Sequence, residues 1–350
     1  MVRRLAFAVP GDLATLTGGY VYDRRMITEL EHLGWHVDIA ALGDGFPWPS
    51  DETRGAAQAR LLAVPAGRVI VIDGLAFGVL PEAASQLRLR NPLVALVHHP
   101  LAMESGLSAG QSYFLRASER TALAATSHIV VTSAATARIV VAQYAVPAEC
   151  ITVACPGTDP APMALGSQDG IVRLLSVGAI VPRKGFDVLV AALATLTNLR
   201  WHLTIAGDRD RDPETAAQLD ADIRRHSLDG RVDVPGAVLP ERLAELYAGA
   251  DVFVLASRFE GYGMAYAEAI AHGLPIIGTN AGAILDTVPV GAGVLVAPGD
   301  PYALALALRK VIENPSERRR MGTLARAAAS HLPTWQKSAK IFARAIEVLA

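Results

Sequence analysis

The chain has 350 residues, of which 51% are hydrophobic and 19% are charged. This length exceeds what one ordinary core holds, so we predict two domains with large buried sheets. The 32 basic and 34 acidic residues nearly balance, which leaves a formal net charge of −2. The composition therefore argues against nucleic acid as a partner, and it allows peripheral membrane contact only through a local basic patch.

The start of the chain and its cysteines predict a cytoplasmic protein. Residues 1–4 lead into a short strand-like run, so we expect no signal peptide. The uncharged stretch 269–285 is interrupted by glycine and proline, so we expect no transmembrane segment. Cys150 and Cys155 lie five residues apart, and we expect two buried thiols rather than a disulfide or a metal-binding pair.

Short β-rich runs alternate with amphipathic helical patterns along the chain. In the first half the predicted strands are residues 5–9, 36–41, 69–73, 93–98, 128–132 and 151–154, with helical patterns such as 20–33 and 111–125 between them. Proline and glycine interrupt the pattern at residues 157–170, which indicates a linker. The alternation restarts with predicted strands at residues 173–177, 201–206, 232–234, 252–255, 275–278 and 294–296.

This alternation is typical of parallel sheets with helices on both faces. We therefore predict an α/β protein with two αβα domains, residues 1–165 and 166–333, on either side of a cleft. Ligands of open parallel sheets bind at the carboxyl ends of the strands. Side chains at those ends are the candidate functional residues.

Lys184 is the only lysine before Lys310, because every other basic residue in that part of the chain is an arginine. It lies in a turn between a predicted strand and a helix that begins near Phe186. A compact ammonium close to a helix N-terminus suits a phosphate group. A solvated cation on a surface turn fits the same pattern, so both interpretations stay open at this point.

A glycine turn flanked by two acids follows the strand predicted at residues 252–255. Gly261 and Gly263 allow a ligand to approach the backbone closely, and a helix is predicted to begin near Met264. Glu260 precedes the turn and Glu268 follows it by one helical turn. Two carboxylates around such a turn suit sugar hydroxyls beside a phosphate, although an acid in a first helical turn also simply complements the helix dipole.

These motifs resemble those of the retaining GT-B glycosyltransferases of family 4, also called glycosyl transferases group 1. The family's E-x7-E signature is similar to Glu260 and Glu268, and its lysine–glycine motif is similar to Lys184 and Gly185. Further similar segments are residues 273–282, residues 291–300, a glycine pair (Gly18 and Gly19), His98 at a strand end, and a closing helix at about 334–350. The resemblance covers most of the chain. It implies a GT-B fold of two Rossmann-like domains facing each other across a cleft, with the closing helix packed back on the first.

The resemblance also implies roles for individual residues. Glu268 would hold the ribose of a nucleotide-diphosphate sugar, such as a UDP- or GDP-sugar, and Lys184 would neutralise the diphosphate. Glu260 would contact the transferred sugar, and His98, or its neighbour His99, would stand by the sugar. The remaining donor-binding residues would be Gly18, Gly19, Arg183, Gly261, Tyr262, Gly263 and Met264. Arg183 is included because the arginine usual in the family is replaced by Ala179.

The implied reaction is retaining transfer of a hexose to an unidentified acceptor hydroxyl, on a small molecule, a glycan or a lipid, without a metal or other cofactor. The acidic run 208–212 has interleaved arginines and is expected to be a solvated loop rather than a metal site. Residues 43–53, with Trp48, and residues 100–111 are expected to shape the acceptor site. Two alternatives remain: a nucleotide-sugar-binding protein with weak or no catalysis, and a nucleotide-sugar epimerase. A dinucleotide oxidoreductase is disfavoured because no G-x-G-x-x-G follows the first strand.

Overall fold

The computed structural model describes residues 3–349, which form two compact α/β units. The first unit comprises the residues up to Gly157 together with those from Pro333 onward, and the second is Thr158–Leu332. Within the described residues, each unit contains one six-stranded sheet whose strand pairs are all parallel. The prediction of two α/β units with parallel sheets is confirmed.

The first unit places its helices between successive parallel strands. Its strands are β1 (Arg3–Val9), β2 (Trp35–Ala41), β3 (Val69–Asp73), β4 (Leu93–Val97), β5 (His128–Val131) and β6 (Ile151–Val153). Its helices are α1 (Gly18–His32), α2 (Asp51–Leu62), α3 (Gly74–Phe77), α4 (Pro81–Leu87), α5 (Ala109–Leu123), α6 (Ala134–Tyr144) and, from the end of the chain, α14 (Trp335–Glu347). The strands are ordered β2-β1-β3-β4-β5-β6, and α14 packs against α1.

The second unit repeats this plan. Its strands are β7 (Val172–Val177), β8 (Trp201–Ala206), β9 (Val232–Gly236), β10 (Val252–Val254), β11 (Ile276–Thr279) and β12 (Gly293–Val296). Its helices are α7 (Phe186–Ala194), α8 (Pro213–Arg225), α9 (Pro240–Gly249), α10 (Met264–Ala271), α11 (Ile284–Thr287), α12 (Pro301–Glu313) and α13 (Pro315–Ala329). The strands are ordered β12-β11-β10-β7-β8-β9, so β7 and β10 are neighbours although β8 and β9 separate them in sequence.

Burial explains why the central strands of the first sheet, β3 and β4, are continuous apolar runs. Every residue of β3 and β4 is buried, as expected for parallel strands covered by helices on both faces. The order in which strands are added to the sheet changes sides between β1 and β3 in the first unit, because β2 lies on one side of β1 and β3 on the other. The same change of side occurs between β7 and β10 in the second unit. Loops diverge at such switch points, so the carboxyl ends of these strands are where open α/β sheets bind ligands.

The two cysteines and the segment predicted as a linker differ from what the sequence predicted. Cys150 and Cys155 are not joined by a disulfide bond, and each is half-buried rather than buried as expected. Residues 158–170 contain no helix or strand, but they belong to the second unit, where the amide of Ala164 donates to the carbonyl of His272 and the amide of Leu165 to that of Ala248. Among the described residues, no helix is both long and apolar enough to cross a membrane.

Candidate active site

The turn that carries Lys184 is fixed against the end of a neighbouring strand. Residues Pro182–Lys184 form one turn of 3-10 helix between β7 and α7, and Gly185 follows with a φ of 66°. A Cβ atom at Gly185 would overlap the carbonyl oxygen of Ala256, which lies just after β10. The amide of Arg258 donates to the carbonyl of Arg183 at 2.7 Å. The lysine–glycine motif is therefore held next to the segment that leads to Glu260.

Lys184 and Glu260 form a buried ion pair. The Nζ of Lys184 lies 2.6 Å from Oε1 of Glu260, and the hydroxyl of Ser257 donates to the same oxygen at 2.6 Å. The guanidinium of Arg183 lies 3.6 Å from Oε2 of Glu260 and donates to the carbonyl of Phe259 at 2.9 Å. The side chain of Glu260 is only 7% exposed. The structure thus brings together three residues that the sequence predicted separately.

Glu260 is ionised in this environment. Burial raises the pKa of its carboxyl, but the charges of Lys184 and Arg183 and the hydrogen bonds from Lys184 and Ser257 hold the pKa below its ordinary value. Arg183 and Lys184 provide two cations around one carboxylate. The three side chains therefore carry a net charge of +1 when all are ionised.

The glycine turn after Glu260 leads into the N-terminus of α10. Gly263 caps this helix with a φ of 91°, a conformation that side chains other than glycine's rarely adopt. The carbonyl of Glu260 accepts a 2.9 Å hydrogen bond from the amide of Ala283, and a Cβ atom at Gly282 would overlap that carbonyl. The segment after β11 consequently fixes the predicted turn at Gly261, Tyr262 and Gly263. The positive end of the dipole of α10 lies at the end of this turn, close in sequence to Glu260.

Glu268 lies one turn further along α10 and has different partners. The hydroxyl of Tyr247, on α9, donates to Oε2 of Glu268 at 2.9 Å. Burial raises the pKa of Glu268 to about 7, the hydrogen bond from Tyr247 lowers it, and the charge of Asp159 raises it. The Tyr247 ring is stacked on the ring of His272, with centroids 5.1 Å apart and planes 9° apart. Tyr247 is a partner that the sequence analysis did not identify.

A second polar cluster lies in the first unit, around His98. His98 directly follows β4, and α1 begins at Gly18, one residue before Gly19. An added Cβ atom at Gly19 would lie 3.4 Å from the imidazole of His98, so the glycine pair closely approaches the ring. The Nε2 of His98 is 3.2 Å from Oδ1 of Asp23 and 3.2 Å from Oδ2 of Asp73.

Asp23 and Asp73 were missed from the sequence. Asp23 lies on α1, five residues after Gly18, and Asp73 is the last residue of β3. The one available signal was the position of Asp73, an acid ending a buried apolar strand at the carboxyl edge of the sheet. His99, the alternative to His98, has a different partner, with its Nε2 3.4 Å from Oε2 of Glu104.

The same three residues of the first unit are also potential metal ligands. Within residues 3–349, Asp23, Asp73 and His98 form a group of three potential ligand side chains, with their nearest polar atoms within 4.8 Å of one another. The acidic run 208–212 does not form such a group among the described residues. Asp210 and Arg211 in that run are exposed, whereas Asp208, Arg209 and Asp212 are half-buried; Arg209 pairs with Asp220, and Asp212 caps α8.

Two family models match successive parts of the chain. The model described as Glycosyltransferase Family 4 matches residues 68–162, and the model described as Glycosyl transferases group 1 matches residues 163–328. The second match includes Lys184, Glu260 and Glu268, and the first includes Asp73 and His98.

Solved structures with the same architecture include a sucrose-phosphate synthase and the Anabaena protein HepE. Sucrose-phosphate synthase from Thermosynechococcus elongatus superposes with a TM-score of 0.83 at 21% identity, over 99% of each chain. The Anabaena protein HepE, in complex with UDP and glucose, superposes with a TM-score of 0.75 at 19% identity, over 97% of this chain and 99% of that one. The two six-stranded sheets therefore define the GT-B class of fold.

Curated relatives agree with this class. The MMP alpha-(1->4)-mannosyltransferase of Mycolicibacterium hassiacum is 28% identical over 320 residues, which are 84% of this chain and 74% of that protein. Several further curated relatives match over 37% to 56% of their own lengths, so the chain spans about half of them. Together with the two family models, these matches show that the chain belongs to the glycosyl transferases group 1 family of GT-B glycosyltransferases.

Proposed function

We propose that this protein transfers a hexose from a nucleotide-diphosphate sugar to an acceptor hydroxyl, with retention of configuration. The observation that carries the proposal is the pairing of Lys184 with Glu260 after the adjoining strands β7 and β10, beside the N-terminus of α10. A buried cation and a helix N-terminus suit a diphosphate, and a carboxylate suits sugar hydroxyls. The UDP and glucose in the similarly folded HepE support this class of donor.

The proposal gives each site residue a role. Glu268 binds the ribose hydroxyls of the donor, and Lys184 and Arg183 neutralise its diphosphate. Glu260 binds hydroxyls of the transferred sugar. The backbone at Gly261, Tyr262, Gly263 and Met264 approaches the sugar and the phosphates, and the first unit contributes Gly18, Gly19 and His98 to sugar binding.

The reaction requires stabilisation of a departing diphosphate. As the bond between the anomeric carbon and the phosphate oxygen breaks, negative charge grows on the diphosphate. A preorganised cation such as Lys184 stabilises that charge, and removal of one such group typically costs about 100- to 1,000-fold in rate. The acceptor oxygen bonds to the anomeric carbon on the same face, and its proton passes to the leaving phosphate. In this proposal Lys184 supplies the charge for which other enzymes use a divalent metal.

The first unit offers a surface for the acceptor. Trp48 lies in the loop after β2 and is stacked with Phe114 of α5, with ring centroids 5.9 Å apart. Both rings are half-exposed. Exposed aromatic faces suit the apolar face of a sugar ring or an apolar aglycone, so we propose that the acceptor binds beside them.

Donor binding can be tested with a panel of UDP-, GDP- and ADP-sugars in thermal-shift assays. We expect at least one to raise the melting temperature of the wild type, Lys184→Ala and Glu268→Ala to abolish this shift, and Lys310→Ala to retain it. Lys310 is a matched control because it is an exposed lysine of the same unit, paired with Glu317. No shift with any donor, or an unchanged shift in Lys184→Ala, would contradict the proposal.

Catalysis needs a second measurement. Slow hydrolysis of the bound donor, insensitive to chelators, is expected from a working site, and the anomeric configuration of a transfer product can be read by NMR. A donor that binds without any hydrolysis or transfer would indicate a nucleotide-sugar-binding protein instead. An inverted product would refute retention alone.

A further inference from the structure

The contacts of His98 extend the proposed function to two residues that no sequence motif marks. Its Nε2 lies 3.2 Å from a carboxylate oxygen of Asp23 and equally far from one of Asp73. Asp23 is fully buried and Asp73 is 3% exposed, whereas the side chain of His98 keeps 19% of its surface exposed. One edge of the ring is thus turned to two buried acids, while part of the ring remains accessible.

We propose that Asp23 and Asp73 are positioning residues that hold His98 as an imidazolium, so that its accessible side donates a hydrogen bond to the bound substrate. The contact of His98 with the substrate rests on the proposed function, but the contact of His98 with Asp23 and Asp73 does not. The Nε2 of His98 forms its hydrogen bond with Oδ1 of Asp23, and Oδ2 of Asp73 lies within ion-pair distance of the same nitrogen. Two acids this close to each other also repel, and a positive charge between them relieves that repulsion.

Three elements of the first unit fix this arrangement. Oδ1 of Asp73 accepts a 2.7 Å hydrogen bond from the amide of Leu75, and Oδ2 of Asp73 is directed to His98. The carbonyl of His98 accepts the hydroxyl of Thr132 at 2.9 Å, so the backbone of the histidine is also held. The ring of Tyr22 meets the imidazole edge-on, with centroids 5.3 Å apart. The imidazole therefore has little freedom to rotate.

The charges that face His98 favour its protonated form. The titratable groups around the ring are Tyr22 and Asp23 on α1 and Asp73 on β3. Burial lowers the pKa of His98, but the two acids raise it to about 10. Burial and the charge of Asp73 raise the pKa of Asp23 to about 7, and burial keeps the pKa of Tyr22 well above its ordinary value, so Tyr22 is neutral.

One oxygen of the cluster lacks a hydrogen-bond partner within residues 3–349. Oδ2 of Asp23 is buried and accepts no hydrogen bond among the described residues. A carboxylate in that state is costly to keep fully ionised, which agrees with an acid that is protonated part of the time. The second acid, Asp73, places its Oδ2 3.2 Å from Nε2 of His98. A histidine in this setting serves as a hydrogen-bond donor and does not accept the proton of the acceptor hydroxyl.

The test is an NMR titration of the imidazole of His98 in the full-length protein, with the signal assigned through its loss in His98→Gln. We expect the wild-type ring to stay protonated above pH 8. Asp73→Asn and the double variant Asp23→Asn/Asp73→Asn should lower the midpoint by at least about one pH unit, because each removes a negative charge near the ring. Glu104→Gln is the matched control, since Glu104 faces His99 rather than His98.

Activity provides a readout that a purely structural role would not move. Donor hydrolysis by Asp73→Asn should fall about tenfold or more at pH 8 and recover towards the wild-type value at pH 6, where an ordinary histidine is again protonated. An ordinary midpoint in the wild type, no change in Asp73→Asn, or equal loss at both pH values overturns the proposal. So does a stoichiometric divalent metal in the purified wild type that is lost from Asp73→Asn. If no donor is turned over, the proposed function fails, but the NMR titration of His98 still decides whether the two acids keep the ring protonated. The titration of the wild type decides this even if a variant does not fold.

Discussion

The pairing of Lys184 with Glu260 predicts strong energetic coupling between the two side chains. Their side chains are 14% and 7% exposed, and their charged atoms are 2.6 Å apart. Removing one partner of a buried ion pair typically costs about 3–5 kcal/mol, because the other charge is left without compensation. Lys184→Met should cost less, about 2–3 kcal/mol, because Arg183 and Ser257 still contact Glu260.

A double-mutant cycle isolates this coupling. Glu260→Gln alone leaves Lys184 and Arg183 facing each other, and we expect a similar loss of about 2–3 kcal/mol. The double variant removes both charges and should cost little more than either single change, so the coupling energy should be about 2 kcal/mol. Urea unfolding read by hydrogen-exchange mass spectrometry on peptides of α7 and β10 confines the measurement to the second unit.

The pH dependence of the coupling has a definite sign. Because the pKa of Glu260 is lowered from its ordinary 4.5, its ion pair contributes stability that is present above pH 4.5 and lost as the pH falls through the lower folded value. The coupling should therefore be the same at pH 7.5 and pH 6. Single-variant costs that add within about 0.5 kcal/mol would refute the pairing.

Three further outcomes follow from the second unit. Gly185→Ala should destabilise the protein by about 3 kcal/mol or more in urea unfolding, because its Cβ would overlap Ala256 at a positive φ, whereas Gly230→Ala, which meets open space, should not. Nucleotide affinity measured by calorimetry should weaken as the pH falls from 8 to 6, because the pKa of Glu268 is about 7 and its ionised form accepts the ribose hydroxyls; a flat profile would count against that role. Tyr247→Phe should move this pH dependence to higher pH, because the hydrogen bond from Tyr247 lowers the pKa of Glu268 and the variant loses that bond. An unchanged pH profile would show that Tyr247 does not influence nucleotide binding.

Sequence periodicity was sufficient to predict the two parallel sheets, but it did not predict the contacts between residues distant in sequence. Continuous apolar runs such as β3 and β4 identify strands buried on both faces, and β10 and β11 of the second unit are likewise buried throughout. Lys184 and Glu260 were both recognised as candidates, yet their direct pairing across 76 positions depends on β7 and β10 being neighbours. Strand order is a property of the folded sheet, and local patterns do not encode it.

Buried acids were the main omission. Asp23 lies within an amphipathic helix and Asp73 ends an apolar strand, where each has an ordinary structural explanation as a helical polar residue or a helix cap. Only the fold shows that both face His98. The same holds for Tyr247, whose hydroxyl reaches Glu268 from a different helix. Residues that act through another side chain carry no spacing signal of their own.

The ion pair changes what Glu260 is expected to do. A carboxylate that only bound the sugar would, when neutralised, impair sugar transfer and leave nucleotide binding intact. In this structure the same carboxylate also holds Lys184 and lies 3.6 Å from Arg183, so it keeps two like charges close together in a buried place. Glu260→Gln should release that constraint and displace the cations proposed to bind the diphosphate. Loss of nucleotide affinity in Glu260→Gln, together with loss of transfer, would therefore support a carboxylate that organises the phosphate site as well as contacting the sugar.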